Sequence, residues 1–489
     1  MASPPYDWPL IKEFINRTDE LTRLATWWEG ATREPISIIG RRRVGKSWLF
    51  RRFAHGKPAI VLVSEQLIPG VQLARFAEQL EPVLGVRPDI PDVQSLFRIL
   101  FRLAREDKTL VVIDEFPWLL GSSSAESIRT LTSLQAVMEE ERDSSKLKLV
   151  LCGSQVGLME SLFAERNPMH GRIERLEVRP LPFQSGAKFF TDDNPIERFE
   201  RFAICGGMPM YLARLATATI RDAVCNSVLD RDAPLWNEGR TLIDQELREP
   251  RVYFALLERL ATGAQELNEI AQPLRIETST AARYLNTLAE LRLVSKRMPF
   301  GALENSRSGR WQLDDPFLRF WFRFVFPYQS DLEAGLSTRA LYDAEIAPVL
   351  AKHVSRVFEN WCVDWLRANR ADIATTFGTW WGNSANEFRK TKERSTEEID
   401  AIGARRGVVT IAAEAKWTNK LLTPSIVDDL RTYKVPALRE SGLRIAKDPR
   451  IVLFSRSGYS KSLQDLASED PHVELIDIAA ELHKSIALP

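Results

Sequence analysis

The chain is poor in the residues that staple or metallate small folds. Only 4 of its 489 residues are cysteine. Cys152, Cys205, Cys225 and Cys362 lie far apart with no CxxC spacing, which argues against a disulfide framework. Histidine is also scarce, at 5 residues, so a structural zinc site is not expected. Neither charge sign is in excess, because 66 Lys and Arg balance 66 Asp and Glu. A whole-chain basic footprint for nucleic acid is therefore absent, and any such surface must be local. No apolar run reaches the ~20 residues that span a bilayer. The N-terminus has no signal-peptide core. A cytoplasmic, reducing setting away from membranes is the expectation. Internal repeats and low-complexity tracts are missing too.

What is present is ordinary globular composition, 44% hydrophobic and 27% charged, over a length that suits about three domains. The most informative stretch is Gly40-Arg-Arg-Arg43-Val44-Gly45-Lys46-Ser47. It follows the apolar run Pro35–Ile39 and precedes Trp48-Leu-Phe-Arg-Arg-Phe53. Strand, GxxxxGK[ST] loop and helix start together suit a nucleoside triphosphate. Glycines let the backbone curl so that its N–H groups face phosphate oxygens. The following helix offers its positive end to the same phosphates. Lys46 would reach the β- and γ-phosphates, and the Ser47 hydroxyl would sit on Mg²⁺. Arg43, Val44 and Trp48 belong to the same nucleotide-binding stretch.

A second element supports the first. Lys108–Ile113 is a β-branched run, read as a buried parallel strand, and it ends in Asp114-Glu115. Ligands of parallel α/β sheets bind at the carboxyl ends of strands. Asp114 would hold Mg²⁺ through water, and Glu115 could polarise the hydrolytic water. Strand-like runs recur at 35–39, 59–63, 109–113 and 147–152, with helical patterns such as 71–83 and 125–142 between them. That alternation predicts a doubly wound parallel sheet. The N-terminal stretch predicts a helix through Trp27-Trp28, and 193–245 reads as helical with a turn at Gly206–Pro209.

Residues 250–300 change character. A short helix from Glu266, a turn at Pro273–Ile276, a helix over 277–291 and a strand from Val294 resemble a winged helix. Its second helix offers only Arg283 as an exposed basic candidate, so a DNA-binding role and a domain-packing role stand level. The aromatic run Asp315–Pro327 reads as core or an interdomain seam in preference to a base-stacking platform.

The last third carries a second constellation. Thr396–Ile402 and Val408–Trp417 read as a hairpin about Arg405-Arg406-Gly407. Alternation puts Glu414 and Lys416 on one face, and the hairpin brings Asp400 to them. Two carboxylates can hold a hard divalent ion. A neighbouring lysine can orient water or offset phosphate charge. Asp…ExK is the active-site pattern of the PD-(D/E)xK nuclease superfamily, and Glu359 on an upstream helix matches the additional glutamate of its Holliday-junction-resolvase-like branch.

Over nearly its whole length the chain resembles an archaeal-type STAND/AAA-like P-loop ATPase fused to a DUF234 C-terminal domain. The motifs that carry this are Phe14–Leu21, Gly40–Ser47, Ile113–Phe116, Leu151–Ser154, Gly171-Arg172, Gly206–Tyr211, Asp315–Trp321, Phe358-Glu359, Gly378–Trp381 and Asp400…Glu414-Ala-Lys416. The resemblance implies that Ser154 is a polar sensor beside the nucleotide. It implies that Pro209 lies near the adenine, that Asn16 and Arg17 touch the base, and that Arg172 reads the γ-phosphate in its own chain or a neighbour's. The expected architecture is α/β. A P-loop core spans 1–192, a helical lid 193–248, a winged helix with an aromatic linker 249–330, and a restriction-endonuclease-like α/β domain 331–489. The expected function is an ATPase that controls a metal-dependent DNA nuclease. Its nucleotide would be ATP with Mg²⁺ at Ser47 and Asp114. Mg²⁺ or Mn²⁺ would bind at Asp400 and Glu414, with Glu359 and Lys416 assisting. DNA is the expected partner, with a homo-oligomer or a protein partner also open. The alternatives are a regulatory ATPase whose nuclease fold binds DNA or protein without cutting, and a signalling switch that uses no nucleic acid.

Overall fold

The structure, a computed structural model, describes residues 14–121, 123–247, 250–303, 306 and 308–487. The chain folds as two compact units. One comprises residues 1–181 with 208–210, and the other 182–207 with 211–489.

The first unit is built on five strands: β1 Ile36–Ile39, β2 Ala59–Val63, β3 Thr109–Asp114, β4 Leu147–Gly153 and β5 Glu174–Glu177. Their order is β2-β3-β4-β1-β5, and every neighbouring pair is parallel. β1 and β4 are buried at every residue, as continuous β-branched and aliphatic strands covered on both faces should be. The four strands expected from the sequence are there. The fifth is not apparent in the sequence because Glu174-Arg-Leu-Glu177 is an edge strand with only Leu176 buried. The helices Pro69–Leu84 and Ser124–Glu140 cover the sheet where the periodicity places them. The second is started by a capping box between Ser123 and Glu126. A third helix, Val93–Leu103, is capped by Asp92. β1, β3 and β4 all end at the edge where Gly40, Asp114 and Ser154 lie, so their carboxyl ends frame one site.

Early in the second unit the helix Pro195–Cys205 carries its own capping box from Asn194 to Glu197. The helices Leu267–Ala271 and Thr278–Glu290 then lead into the antiparallel pair β6 Val294–Arg297 and β7 Arg310–Leu313. This is the helix–turn–helix–wing order expected from the sequence. The aromatic helix Pro316–Phe324 is core: Phe317, Phe320, Trp321 and Phe322 are fully buried, and Trp321 Nε1 donates to Trp236 O at 2.8 Å. A long helix, Leu350–Asn369, precedes a five-stranded sheet. Its strands are β8 Thr376–Asn383, β9 Thr396–Arg405, β10 Val408–Lys416, β11 Arg444–Ser455 and β12 Val473–Asp477. Their order is β12-β11-β10-β9-β8. β8, β9 and β10 pair antiparallel, and β10, β11 and β12 pair parallel. The β9–β10 turn is Arg406-Gly407, with φ of 50° and 75°, as a two-residue hairpin of this twist requires.

Candidate functional site

In the first unit the glycine loop leaves β1 and enters the helix Lys46–Ala54. Gly40 admits no side chain, since a Cβ there would lie 2.4 Å from Val178 O. Gly45 has φ 97° and Arg43 has φ 67°, left-handed positions that curl the loop. The helix opens with no side-chain cap and no acid in its first turn. Its first N–H groups and its dipole are thus left for an anion. Val44 is fully buried, which anchors the loop from beneath. Lys46 is buried, and its Nζ donates to Gly40 O at 2.7 Å and Arg41 O at 3.1 Å. Two neutral carbonyls hold this ammonium, and phosphate oxygens would be stronger acceptors in the same place.

Two acids complete the edge. Ser47 Oγ donates to Asp114 Oδ2 at 3.2 Å. Burial pushes the Asp114 carboxyl above its ordinary range, and the Cys152 thiol works against that. Glu115 follows in a left-handed conformation, φ 51°. That is uncommon for a long side chain and costs about 1 kcal/mol or more. Its carboxylate accepts from Ser154 Oγ at 2.8 and 3.0 Å and from Ser154 N at 3.3 Å. Ser154 itself is buried. Strand ends therefore present Ser47 beside Asp114 and Glu115 beside Ser154.

The remaining positions divide. Arg17 is buried, and its Nη2 donates to Val44 O at 2.8 Å, which ties the N-terminal segment to the loop. Asn16 (φ 63°) is exposed. Pro209 lies against the loop, with its Cγ 3.7 Å from where a Cβ on Gly45 would sit. Trp48 is 56% exposed. Arg172 Nη1 donates to Glu139 at 2.7 Å in an exposed pair, so its hydrogen bond goes to a neighbouring helix instead of into the loop. The glycine loop, Lys46, Ser47 and Asp114 fit a triphosphate with a hard divalent ion: open N–H groups, an ammonium, and hydroxyl and carboxylate oxygens.

In the second unit Asp400, Glu414 and Lys416 meet. Ala401 pairs with Ala413 across the hairpin, which sets Asp400 beside Glu414. Lys416 Nζ lies 2.8 Å from Asp400 Oδ2 and 2.6 Å from Glu414 Oε2. Ala415 N also donates to Asp400 Oδ2, at 2.9 Å. Glu414 is 1% exposed. Burial and the Asp400 charge push its carboxyl upward, and Lys416 and Lys434 oppose the shift. Burial works against the Lys416 charge, but Glu414 and Asp400 outweigh it and hold the ammonium above its ordinary range. Glu359, on the long helix, is pushed up to about 7 by burial and then by Asp400. Glu398, although on the Asp400 face by alternation, accepts from Arg310 Nη1 at 2.8 Å instead.

Sequence reasoning missed Lys434, whose Nζ donates to Glu414 Oε1 at 2.6 Å. It ends a π-helical turn, Leu430–Lys434, far along the chain from Glu414, and no local pattern marks it. Among the described residues no group of three or more His, Cys, Asp or Glu is placed to hold a metal ion. The donor set of Asp400 and Glu414 is nonetheless all hard oxygen. Burial first, and the Asp400 charge second, raise the carboxyls of both Glu359 and Glu414. That chemistry fits a divalent ion once the Lys416 ammonium moves off the two carboxylates.

Comparison with known proteins gives three family matches along the chain. Residues 30–162 match a family model described as an AAA domain. Residues 252–297 match the IclR helix-turn-helix domain. Residues 321–427 match DUF234, described as archaea bacterial proteins of unknown function. An uncharacterised protein of Methanocaldococcus jannaschii is 26% identical over 408 residues, which cover 83% of this chain and 87% of that protein. Among solved structures, the Walker-type ATPase of Pyrococcus abyssi is similar with TM-score 0.47 and 19% identity, over 64% of this chain and 97% of that one. The ORC2 protein of Aeropyrum pernix is similar with TM-score 0.43 and 14% identity, over 68% and 98%.

Proposed function

We propose, from the premise that the chain is a P-loop ATPase with an AAA domain and a DUF234 region at its C-terminus, that ATP binding and hydrolysis in the first unit control a metal-dependent DNA nuclease in the second. The observation that supports the nuclease half is the meeting of Asp400, Glu414 and Lys416, with Glu359 pushed up to about 7 by burial and then by Asp400.

At the ATP site the loop N–H groups and Lys46 would hold the phosphates, and Glu115 would orient the attacking water and take its proton. Ser154 keeps the Glu115 carboxylate at the strand edge while that water is aligned. Ser47 and Asp114 would hold Mg²⁺, which would supply positive charge against the phosphate oxygens. Pro209, Asn16 and Arg17 would border the nucleoside, and Arg172 would reach the γ-phosphate only after leaving Glu139. At the second site Asp400 and Glu414 would hold Mg²⁺ or Mn²⁺, which supplies charge against the phosphodiester. Lys416, released from the carboxylates, would donate to the scissile phosphate, and Glu359 would carry a proton near neutral pH. The helix-turn-helix at 252–297, with Arg283 exposed on its second helix, supports DNA as the partner. The four-part domain division, with the carboxylate site in 331–489, belongs to this proposal. Among the described residues no helix is long and apolar enough to cross a membrane.

One observation favours the second reading, a regulatory ATPase whose C-terminal fold does not cut. Each oxygen of Glu414 already faces an ammonium, Lys434 at Oε1 and Lys416 at Oε2, both at 2.6 Å, so the site is electrostatically closed without a metal.

The test is cleavage of supercoiled, linear and branched DNA with Mg²⁺ or Mn²⁺, with and without ATP. Wild type runs beside Lys46→Ala, Asp400→Asn and Glu414→Ala/Lys416→Ala, with ATP hydrolysis as the folding control for the last two. Cutting that is lost in Asp400→Asn and changed by ATP or Lys46→Ala supports the nuclease. Intact ATP hydrolysis with no cutting under any condition moves the assignment to the regulatory reading.

A further inference from the structure

Within the second unit the wing hairpin faces the C-terminal α/β layer across a cleft. Arg297 and Arg310 come from β6 and β7, Gln312 from β7, Arg356 and Glu359 from the long helix, and Trp381 from β8. The cleft is more basic than acidic. Arg310 is ion-paired to Glu398 and lies over the Trp381 ring, 4.7 Å from its centroid. Arg356 faces Glu359 only loosely, at 3.7 Å. Arg297 bonds a neutral partner, its Nη1 donating to Asn360 Oδ1 at 2.7 Å. Burial holds the Arg297 guanidinium below its ordinary range, partly offset by Asp314. A half-buried guanidinium whose bonded partner carries no charge leaves most of its donors and its field for a ligand.

A second observation points into the same cleft. Gln312 is 7% exposed, and its Oε1 has no hydrogen-bond partner among the described residues, although its Nε2 donates to Asp314 at 3.3 Å. A buried amide oxygen left without a donor is destabilising, and a ligand N–H or O–H in the cleft would relieve it.

We propose that this cleft binds a backbone phosphate of a nucleic-acid strand, with Arg297 and Arg356 as its donors, Gln312 Oε1 accepting from an N–H of a neighbouring base edge, and the Trp381–Arg310 stack as the flanking platform. The wing then feeds a strand to the carboxylate site through its inner face, beside Glu359. This rests on the nucleic-acid reading above but not on cutting.

The test is fluorescence anisotropy of the full chain with fluorescein-labelled four-way and single-stranded DNA, in EDTA, across a salt series. Arg297→Gln and Arg356→Gln should each weaken binding about tenfold and lower the slope of log K against log salt by about one. Arg297→Lys should keep the slope. Thermal melting reports folding of each variant. If folded Arg297→Gln and Arg356→Gln bind with wild-type affinity and slope, the cleft is not a phosphate site, and the same holds if the wild type binds no DNA. Arginine-dependent binding in a protein that never cuts upholds the cleft while the nuclease reading fails. Cutting with unchanged binding in the variants does the reverse.

Discussion

Ser154 holds the carboxylate of Glu115, its hydroxyl lying 2.8 Å from one oxygen and 3.0 Å from the other. The two residues directly follow neighbouring strands, β3 and β4, so the bond ties the acid to the rigid sheet. It also compensates for a left-handed backbone at Glu115, φ 51°.

Glu115→Gln should lower kcat for ATP hydrolysis by about a hundredfold with little change in KM, because a proton acceptor is lost and binding is not. Ser154→Ala should lower kcat about tenfold by loosening the same carboxylate, and Ser154→Thr should restore it. Steady-state phosphate release measures all three. A rise in KM with kcat unchanged would assign Ser154 to nucleotide binding instead.

Lys46→Ala should reduce kcat/KM about a hundredfold or more, since it removes the cation that stabilises charge on the transferred phosphoryl group. Gly40→Ala should abolish nucleotide binding even though Lys46 is intact. Its Cβ would lie 2.4 Å from Val178 O, and backbone must move to relieve that. Titration with a fluorescent ATP analogue separates the two effects.

Lys434→Met should lower the melting temperature more than Lys434→Met/Glu414→Gln does. The single change leaves Glu414, 1% exposed, with one ammonium where it had two. The cost stays below the ~3 kcal/mol of a fully orphaned buried charge, because Lys416 remains 2.6 Å away. Neutralising the acid as well removes the mismatch. Equal melting temperatures for the two variants would show that the charge at Glu414 is not what the lysine balances.

Glu141 gives a pH signature. Arg105, then Ser144, holds its carboxyl down to about 2, with Arg105 Nη2 at 2.6 Å and Arg102 Nε at 3.1 Å. A depressed carboxyl stabilises the fold above its unfolded pKa and loses that contribution as pH falls toward the folded one. Wild type should therefore melt above Glu141→Gln at pH 7, and the gap should narrow from pH 4.5 down toward about 2. Melting curves of both proteins between pH 7 and pH 3 test this. A gap that does not change with pH would place the effect in packing.

Much of the candidate nucleotide site is local in the chain. A strand, a glycine loop and a helix start must be consecutive to wrap a phosphate, so Gly40, Lys46 and Ser47 are legible together. Asp114 is legible because a buried β-branched run has to end somewhere, and the acids mark where. The hairpin from Thr396 to Lys416 is legible from alternation and from Gly407, which adopts positive φ freely. Short-range periodicity and turn chemistry thus determine which elements exist and which residues share a face.

Tertiary structure alone decides what those faces meet. Nothing near Arg172 in sequence indicates that its guanidinium pairs with Glu139. Nothing around Lys434 indicates that it neutralises Glu414, or around Arg297 and Arg310 that the wing turns them toward Glu359 and Glu398. β5 pairs with β1 although its own pattern is mostly polar, because its neighbours supply the burial its sequence lacks. Charges find partners through space, at the distances set by packing of the whole unit. A sequence carries their identity but not those distances, and the distances decide whether a lysine beside two acids is a closed ion pair or a reactive group.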